Sequence, residues 1–255
     1  MSLLIETVPC LSDNYAFLAH DPATNETAVV DVPEAKPILA RLAEKGWVAS
    51  KVIITHHHAD HVQGLTELLQ QHSAQVIGSA ADADRLPPLD IRVSEGDTVK
   101  IGTFEGHVLD VSGHTLNHLA FHFPLGNVVF TADSLMALGC GRVFEGTMEQ
   151  MWGSLSKIAA LPPETLVCSG HEYTAANGQF AITIDPENKD LLARVASIKE
   201  DRAANRPTVP SRLSLELATN PFLRPTDPSI QGHLGMVGAH PAEVFAEIRR
   251  RKDAF

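Results

Sequence analysis

The chain has 255 residues, 20 Lys+Arg against 31 Asp+Glu, and a formal net charge of −11 with histidine neutral. With 44% hydrophobic and 20% charged residues it has the composition of an ordinary core-forming protein, which excludes disordered, collagen-like and disulfide-scaffold classes. The acidity argues against broad binding to nucleic acid or an anionic membrane, since both need clustered Lys and Arg.

Short β-branched or apolar runs at residues 27–32, 51–55, 75–77, 98–101, 107–111, 119–123, 127–131 and 165–168 predict strands. Helical spacing of apolar residues interrupts them in VQGLTELLQQH from Val62 and in MEQMWGSLSKIAAL from Met148, so the class is α/β. Short glycine turns within 98–131 suggest antiparallel pairing and hence two sheets. After residue 174 the strand signal fades. Asp185-Pro186-Glu187 predicts a helix start and Leu191, Leu192, Val195 and Ile198 give that helix its apolar stripe. A last helical pattern runs from Pro241 to the basic run Arg249-Arg250-Arg251-Lys252. These patterns divide the chain into 1–174 and a smaller helical domain, 175–255.

Three cysteines, Cys10, Cys140 and Cys168, are too few and too widely spaced for a disulfide framework and point to a reducing compartment. The N-terminal MSLLIETVPC has no basic n-region and no long apolar core, unlike a secretory signal. No segment approaches the roughly 20 apolar residues of a membrane span. Cytoplasmic location, no membrane partner and a monomer are the expectations.

The 13 histidines are the compositional anomaly. Thr55-His56-His57-His58-Ala59-Asp60-His61 directly follows an apolar strand, and a strand end turning into a helix can aim His56 and His58 one way and carry Asp60 and His61 to a second position. Three further candidates stand just after predicted strands: His114, Asp133 and His171. In α/β sheets functional side chains gather at the carboxyl ends of strands, so these positions can converge on one cleft. Imidazole and carboxylate suit Zn²⁺ foremost and also accept iron or manganese. Gly113 and Gly170 precede two of the candidates, where a missing Cβ allows a sharp turn. Asp31, ending another strand, is placed to brace the histidine loop, or is a simple turn residue. His118 reads as structural.

THHHADH, SGHT, TADS and CSGHEY, in this order and spacing, resemble the metallo-β-lactamase superfamily. Gly141-Arg142-Val143-Phe144-Glu145-Gly146-Thr147, Gly170-His171-Glu172-Tyr173-Thr174, Asn220-Pro221-Phe222-Leu223-Arg224 and Arg249-Arg250-Arg251-Lys252-Asp253 extend the likeness over the whole chain and make it most similar to glyoxalase II, the hydroxyacylglutathione hydrolases. The resemblance implies an αββα sandwich with a helical C-terminal domain that binds substrate. It also implies two divalent ions, one on His56, His58 and His114, the other on Asp60, His61 and His171, bridged by Asp133; His57 is not a ligand in that scheme.

The implied reaction is hydrolysis of S-D-lactoylglutathione to glutathione and D-lactate, by a hydroxide that the two ions make available near neutral pH. Two ions less the charges of Asp60, Asp133 and a bridging hydroxide leave about +1, a site that attracts anions. Arg142, Phe144, Tyr173, Arg249 and Lys252 match positions that contact the glutathione part. Arg142 stands where some relatives have lysine, and Phe144 where some have tyrosine, which removes a hydroxyl. The basic run is also what a helix C-terminus favours electrostatically. Lactamases, nucleases and an iron-dependent persulfide dioxygenase share the core, and the complete two-metal ligand set argues against the last.

Overall fold

The computed structural model describes residues 2–255. Contacts group them into two units, one formed by residues up to Asp110 with Leu116–Ala132, the other by Val111–Thr115 with Asp133–Phe255.

In the first unit, β1 (Leu4–Cys10), β2 (Asn14–Asp21), β3 (Glu26–Val30), β4 (Ala49–Ile53), β5 (Gln75–Ser79) and β6 (Ile91–Val93) form one sheet in that order. β1 to β3 pair antiparallel and β3 to β6 parallel, so the parallel strands require crossovers. Helix α1 (Ala35–Lys45) supplies the first, and α2 (Ala59–Val62) with α3 (Leu65–Gln71) the second. Ile38 and Leu42 of α1 and Leu65 and Leu68 of α3 bury against Val29, Val52 and Val76 of the strands. The helical pattern from Val62 is broken because Gly64 passes close under α1: its N–H bonds the Val32 carbonyl at 2.9 Å, and a Cβ there would lie 2.7 Å from the Ala35 nitrogen. A second set of strands, β7 (Thr98–Ile101), β8 (Phe104–Asp110), β9 (Leu119–Phe123) and β10 (Val128–Ala132), pairs antiparallel throughout. Asp21 ties the β2–β3 turn to the β7–β8 turn, accepting from the Thr103 N–H (2.7 Å) and hydroxyl (2.9 Å).

The second unit begins, after Asp133, with the hairpin β11 (Leu135–Met136) and β12 (Gly139–Cys140). Helix α4 (Met148–Ala159) follows, entered by a capping box between Thr147 and Gln150. Strand β13 (Leu166–Ser169) pairs antiparallel with β14 (Ser211–Arg212). Helices α5 (Thr174–Ile184), α6 (Lys189–Ala203), α7 (Leu213–Thr219), α8 (Pro228–Leu234) and α9 (Pro241–Ala254) complete it. α5 lies where no individual helix was expected, ahead of the helix start expected at Asp185. α6 begins at Lys189, because Asn188 and not Asp185 caps it, accepting from the Leu191 N–H at 3.1 Å. Asp185 is taken by Arg224, 2.7 Å away.

The helices grip the hairpin through buried polar groups. Glu216, paired with Arg194, accepts from the Leu138 N–H at 2.9 Å. Asn220 Nδ2 donates to the Met136 and Gly139 carbonyls at 3.1 and 3.0 Å, and Asn177 Nδ2 to Ala137 at 3.1 Å. Among the described residues no helix is long and apolar enough to cross a membrane.

Candidate metal centre and active site

The segment after β4 carries four candidate ligands in six residues, and its backbone is fastened by one carboxylate. Asp31 accepts from the Thr55 N–H (2.9 Å) and hydroxyl (2.8 Å), and from His61 Nδ1 (2.8 Å). Asp31 sits at φ +56°, a left-handed conformation rare outside glycine and held here by those contacts. Proton accounting then sets the tautomers. The single Thr55 hydroxyl proton goes to Asp31, so Thr55 Oγ1 accepts from His56 Nδ1 at 3.0 Å, and His61 Nδ1 donates to Asp31. On neutral rings both are thereby left with an Nε2 lone pair, the form a metal ligand needs. Donor atoms of His56 and His58 lie within 4.8 Å of each other, as do those of His56 and His61 and those of Asp60 and His61. Asn14 Nδ2 holds Asp60 through its carboxylate (2.9 Å) and its carbonyl (3.1 Å). His118, buried, stacks on the His56 ring at 4.5 Å and acts as a wall.

In the second unit the three remaining candidates come together from separate strand ends. Asp133 Oδ2 lies 3.4 Å from His114 Nε2 and 3.3 Å from His171 Nε2. His114 Nδ1 donates to the Arg142 carbonyl at 2.7 Å, so on a neutral ring Nε2 presents a lone pair to the carboxylate oxygen. Two acceptors facing each other repel, and a divalent cation turns that repulsion into ligation; the donor set fits a metal. The backbone is forced to make this close approach. Ala132, just before Asp133, has φ +40°, and Gly113, just before His114, has φ +152°. Gly141 passes so near that a Cβ would lie 1.9 Å from the Asp133 carbonyl oxygen and 2.9 Å from His114 Nδ1.

Two aromatic rings flank this triad. Tyr173 stacks on His171 (4.6 Å, 9° between planes) and Phe144 leans on His114 (5.3 Å). Phe144 is 60% exposed and Tyr173 41%, large apolar faces left open beside charged groups. The Arg142 guanidinium lies over Phe144 at 5.8 Å and 3.4 Å from Asp253. Lys252 sits against the rings of Phe180 and Phe255, its Nζ 3.4 Å from the Ala176 carbonyl, and burial lowers its pKa from the usual lysine value. Arg249, one of the positions matched to the glutathione part, is only 4% exposed: it donates to the Cys140 carbonyl at 3.0 Å and forks onto Asp253 at 2.7 and 3.0 Å. Burial pushes the Cys140 thiol up to about 11 and the Cys10 thiol to about 12, so neither supplies a thiolate at neutral pH.

Sequence reasoning singled out Asp31 and the ligand candidates. It missed Asn14, Thr55, Asp82 and the Arg142 carbonyl, of which Thr55, inside the motif itself, had the clearest signal.

Residues 2–171 match the model of the metallo-beta-lactamase superfamily, and residues 172–255 that of the hydroxyacylglutathione hydrolase C-terminus. The fold agrees with the BLEG-1 B3 metallo-beta-lactamase, whose crystal structure superposes with a TM-score of 0.67 at 19% identity, covering 87% of this chain and 100% of that one. The metallo-beta-lactamase class is thus defined by fold and site. Within it, hydroxyacylglutathione hydrolases of Cereibacter sphaeroides and Ruegeria pomeroyi are 60% and 62% identical, each over 100% of both chains. The chain belongs to the hydroxyacylglutathione hydrolase family.

Proposed function

We infer that this chain is a metal-dependent thioester hydrolase acting on hydroxyacylglutathione, with S-D-lactoylglutathione as its chief substrate. The observation that carries the chemistry is the placing of Asp133 Oδ2 3.4 Å from His114 Nε2 and 3.3 Å from His171 Nε2, with the His114 Nδ1 proton committed elsewhere so that a neutral His114 ring turns an acceptor toward the carboxylate. Full-length identity to hydroxyacylglutathione hydrolases supports the substrate class.

On this reading His56, His58 and His114 hold one divalent ion, Asp60, His61 and His171 a second, and Asp133 serves both. We propose zinc as the metal, since five imidazoles and two carboxylates match its preferred donors. Bound divalent ions supply Lewis acidity, which lowers the pKa of water and polarises a carbonyl. The protein's own groups do the rest. Asp31 and Thr55 keep the Nδ1 protons of His61 and His56 away from the ligand face, and the Arg142 carbonyl does so for His114. Phe144 and Tyr173 offer apolar walls for the thioester, while Arg142 and Lys252 offer charge to a glutathione carboxylate. The thiolate is a good leaving group, so no separate acid is required. We assign catalysis to a domain of residues 1–174 and substrate capture to 175–255, in a monomeric cytoplasmic protein; three buried cysteines with no disulfide between them accord with a reducing compartment.

The test follows thiol release from S-D-lactoylglutathione and metal content of the same preparation. Brisk, chelator-sensitive hydrolysis with about two ions per chain is expected. A single iron, no hydrolysis, and oxygen uptake with glutathione persulfide would contradict the reading.

A further inference from the structure

His57 stands between His56 and His58, and the ligand scheme gives it no task. In an extended segment successive side chains point to opposite sides, so when His56 and His58 face one way His57 faces the other. On that other side it meets a built partner. His57 Nδ1 lies 3.0 Å from Asp82 Oδ2, and the Asp82 side chain is only 2% exposed. Asp82 ends a 3-10 turn, Ala80–Asp82, that follows β5. Its other oxygen accepts from Arg85 Nε at 2.5 Å, so the buried carboxylate has a charged partner on one oxygen and an imidazole on the other.

The same group of residues reaches a second loop. Arg85 Nη2 donates to the Leu116 carbonyl at 3.2 Å, and Asn117 Nδ2 donates to the Ala81 carbonyl at 3.3 Å. Leu116 and Asn117 follow His114 in the chain and precede His118, the ring stacked on His56; Leu119 N–H then bonds the Thr55 carbonyl at 2.9 Å. The 80–85 turn therefore anchors two stretches at once: the histidine loop through His57, and the 116–119 segment through Arg85 and Asn117.

We propose that His57 and Asp82 are positioning residues that set the aim of His56 and His58 by fixing the twist of the loop from its far side, with Arg85 extending the same anchor to the segment after His114. This rests on the metal-dependent reading above. A partner that orients a ligand without touching the ion changes metal affinity or activity by roughly 10–100-fold when removed. Simple packing would cost fold stability and leave ion retention and ligand geometry alone.

The experiment compares wild type, His57→Ala, His57→Asn and Asp82→Asn, each loaded with Co²⁺. Asparagine puts an N–H near the position of Nδ1 and can still donate to Asp82. Three quantities are read: the rate of cobalt loss to a chelator, the visible d–d spectrum, and the apo thermal midpoint, with kcat and KM alongside. The expected result is cobalt loss at least about tenfold faster and an altered spectrum in His57→Ala, both largely restored in His57→Asn, with KM nearly unchanged. Asp82→Asn should move the same quantities the same way; if it does not fold, the His57 pair decides alone. A lowered apo midpoint with unchanged spectrum and cobalt loss would overturn the proposal in favour of packing. A fall in kcat with unchanged spectrum and cobalt loss would overturn it in favour of direct contact with reacting groups. Wild-type protein that takes up no cobalt would contradict the functional reading, and this inference with it.

Discussion

The two groups of candidate ligands are built by opposite strategies. The histidine loop concentrates four donors in six consecutive residues and is braced by side chains: Asp31, Thr55 and Asn14. His114, Asp133 and His171 come from three separate strand ends, and their close approach is set mainly by backbone: the Arg142 carbonyl, the crowded Gly141, and positive φ at Gly113 and Ala132. The first arrangement depends on a few side chains outside the loop that fasten it, Asp31 and Asn14 among them. The second depends on how well the surrounding unit is folded.

That contrast can be broken in order of expected effect. Asp133→Asn removes the one charge placed against two imidazoles and should lower kcat/KM by roughly 100-fold or more with loss of bound metal. Turnover near wild type with normal metal content would remove Asp133 from the centre. Gly141→Ala adds a methyl where the Asp133 carbonyl already stands and should destabilise the fold by about 1–3 kcal/mol or more while shedding metal. The check is a denaturant titration of the apo form beside metal analysis of the loaded one. Unchanged values in both would show that the strap is not tight.

Asp31→Asn strikes the loop instead. It should cost roughly 10–100-fold in metal affinity with a smaller loss of stability, because Thr55 and His61 lose a charged acceptor but keep their shape. Equal damage to folding from Asp31→Asn and Gly141→Ala would erase the distinction between the two strategies. Arg142→Ala removes an exposed side chain while sparing the carbonyl that His114 uses. KM for the glutathione thioester should rise by roughly five- to tenfold with kcat within about twofold, measurable by steady-state kinetics.

The smallest effect lies away from both ligand groups. Burial alone would raise the Asp21 pKa, but the N–H groups of Thr103 and Ala23 and the hydroxyls of Thr103 and Thr24 bring it down to about 2. A carboxyl depressed in the folded state adds stability that is complete above its unfolded value and is lost as pH falls from about 4 toward 2. Urea midpoints across that range should fall in wild type and flatten in Asp21→Asn; parallel slopes would assign the acid sensitivity elsewhere.

Much of this was legible in the sequence, for identifiable reasons. The loop announces itself because its ligands are contiguous, and His114, Asp133 and His171 stand out because each follows an apolar run. β7 and β9 fall on the expected residues, and β3, β4 and β10 lie within a few positions of theirs. β2 escaped because Asn14-Tyr15-Ala16-Phe17-Leu18-Ala19-His20-Asp21 contains no β-branched residue and is edged by Asn, His and Asp, so it lacks the composition that marks a strand. The strap at Gly141 and the Arg142 carbonyl escaped because a backbone contact leaves no side-chain signature. Arg249 shows a third kind of gap. The run of four basic residues reads as a helix end or as contacts to glutathione, yet the fold turns Arg249 inward onto Cys140 and Asp253, leaves Arg250 and Arg251 exposed and lays Lys252 against Phe180 and Phe255.

The central claim, that loop and strand-end ligands share two ions, is tested most directly by anomalous diffraction from crystals of the zinc-loaded protein. The account predicts two anomalous peaks, one contacted by His56, His58 and His114, the other by Asp60, His61 and His171, with Asp133 touching both. A single peak, or two peaks of which neither touches Asp133, would contradict it.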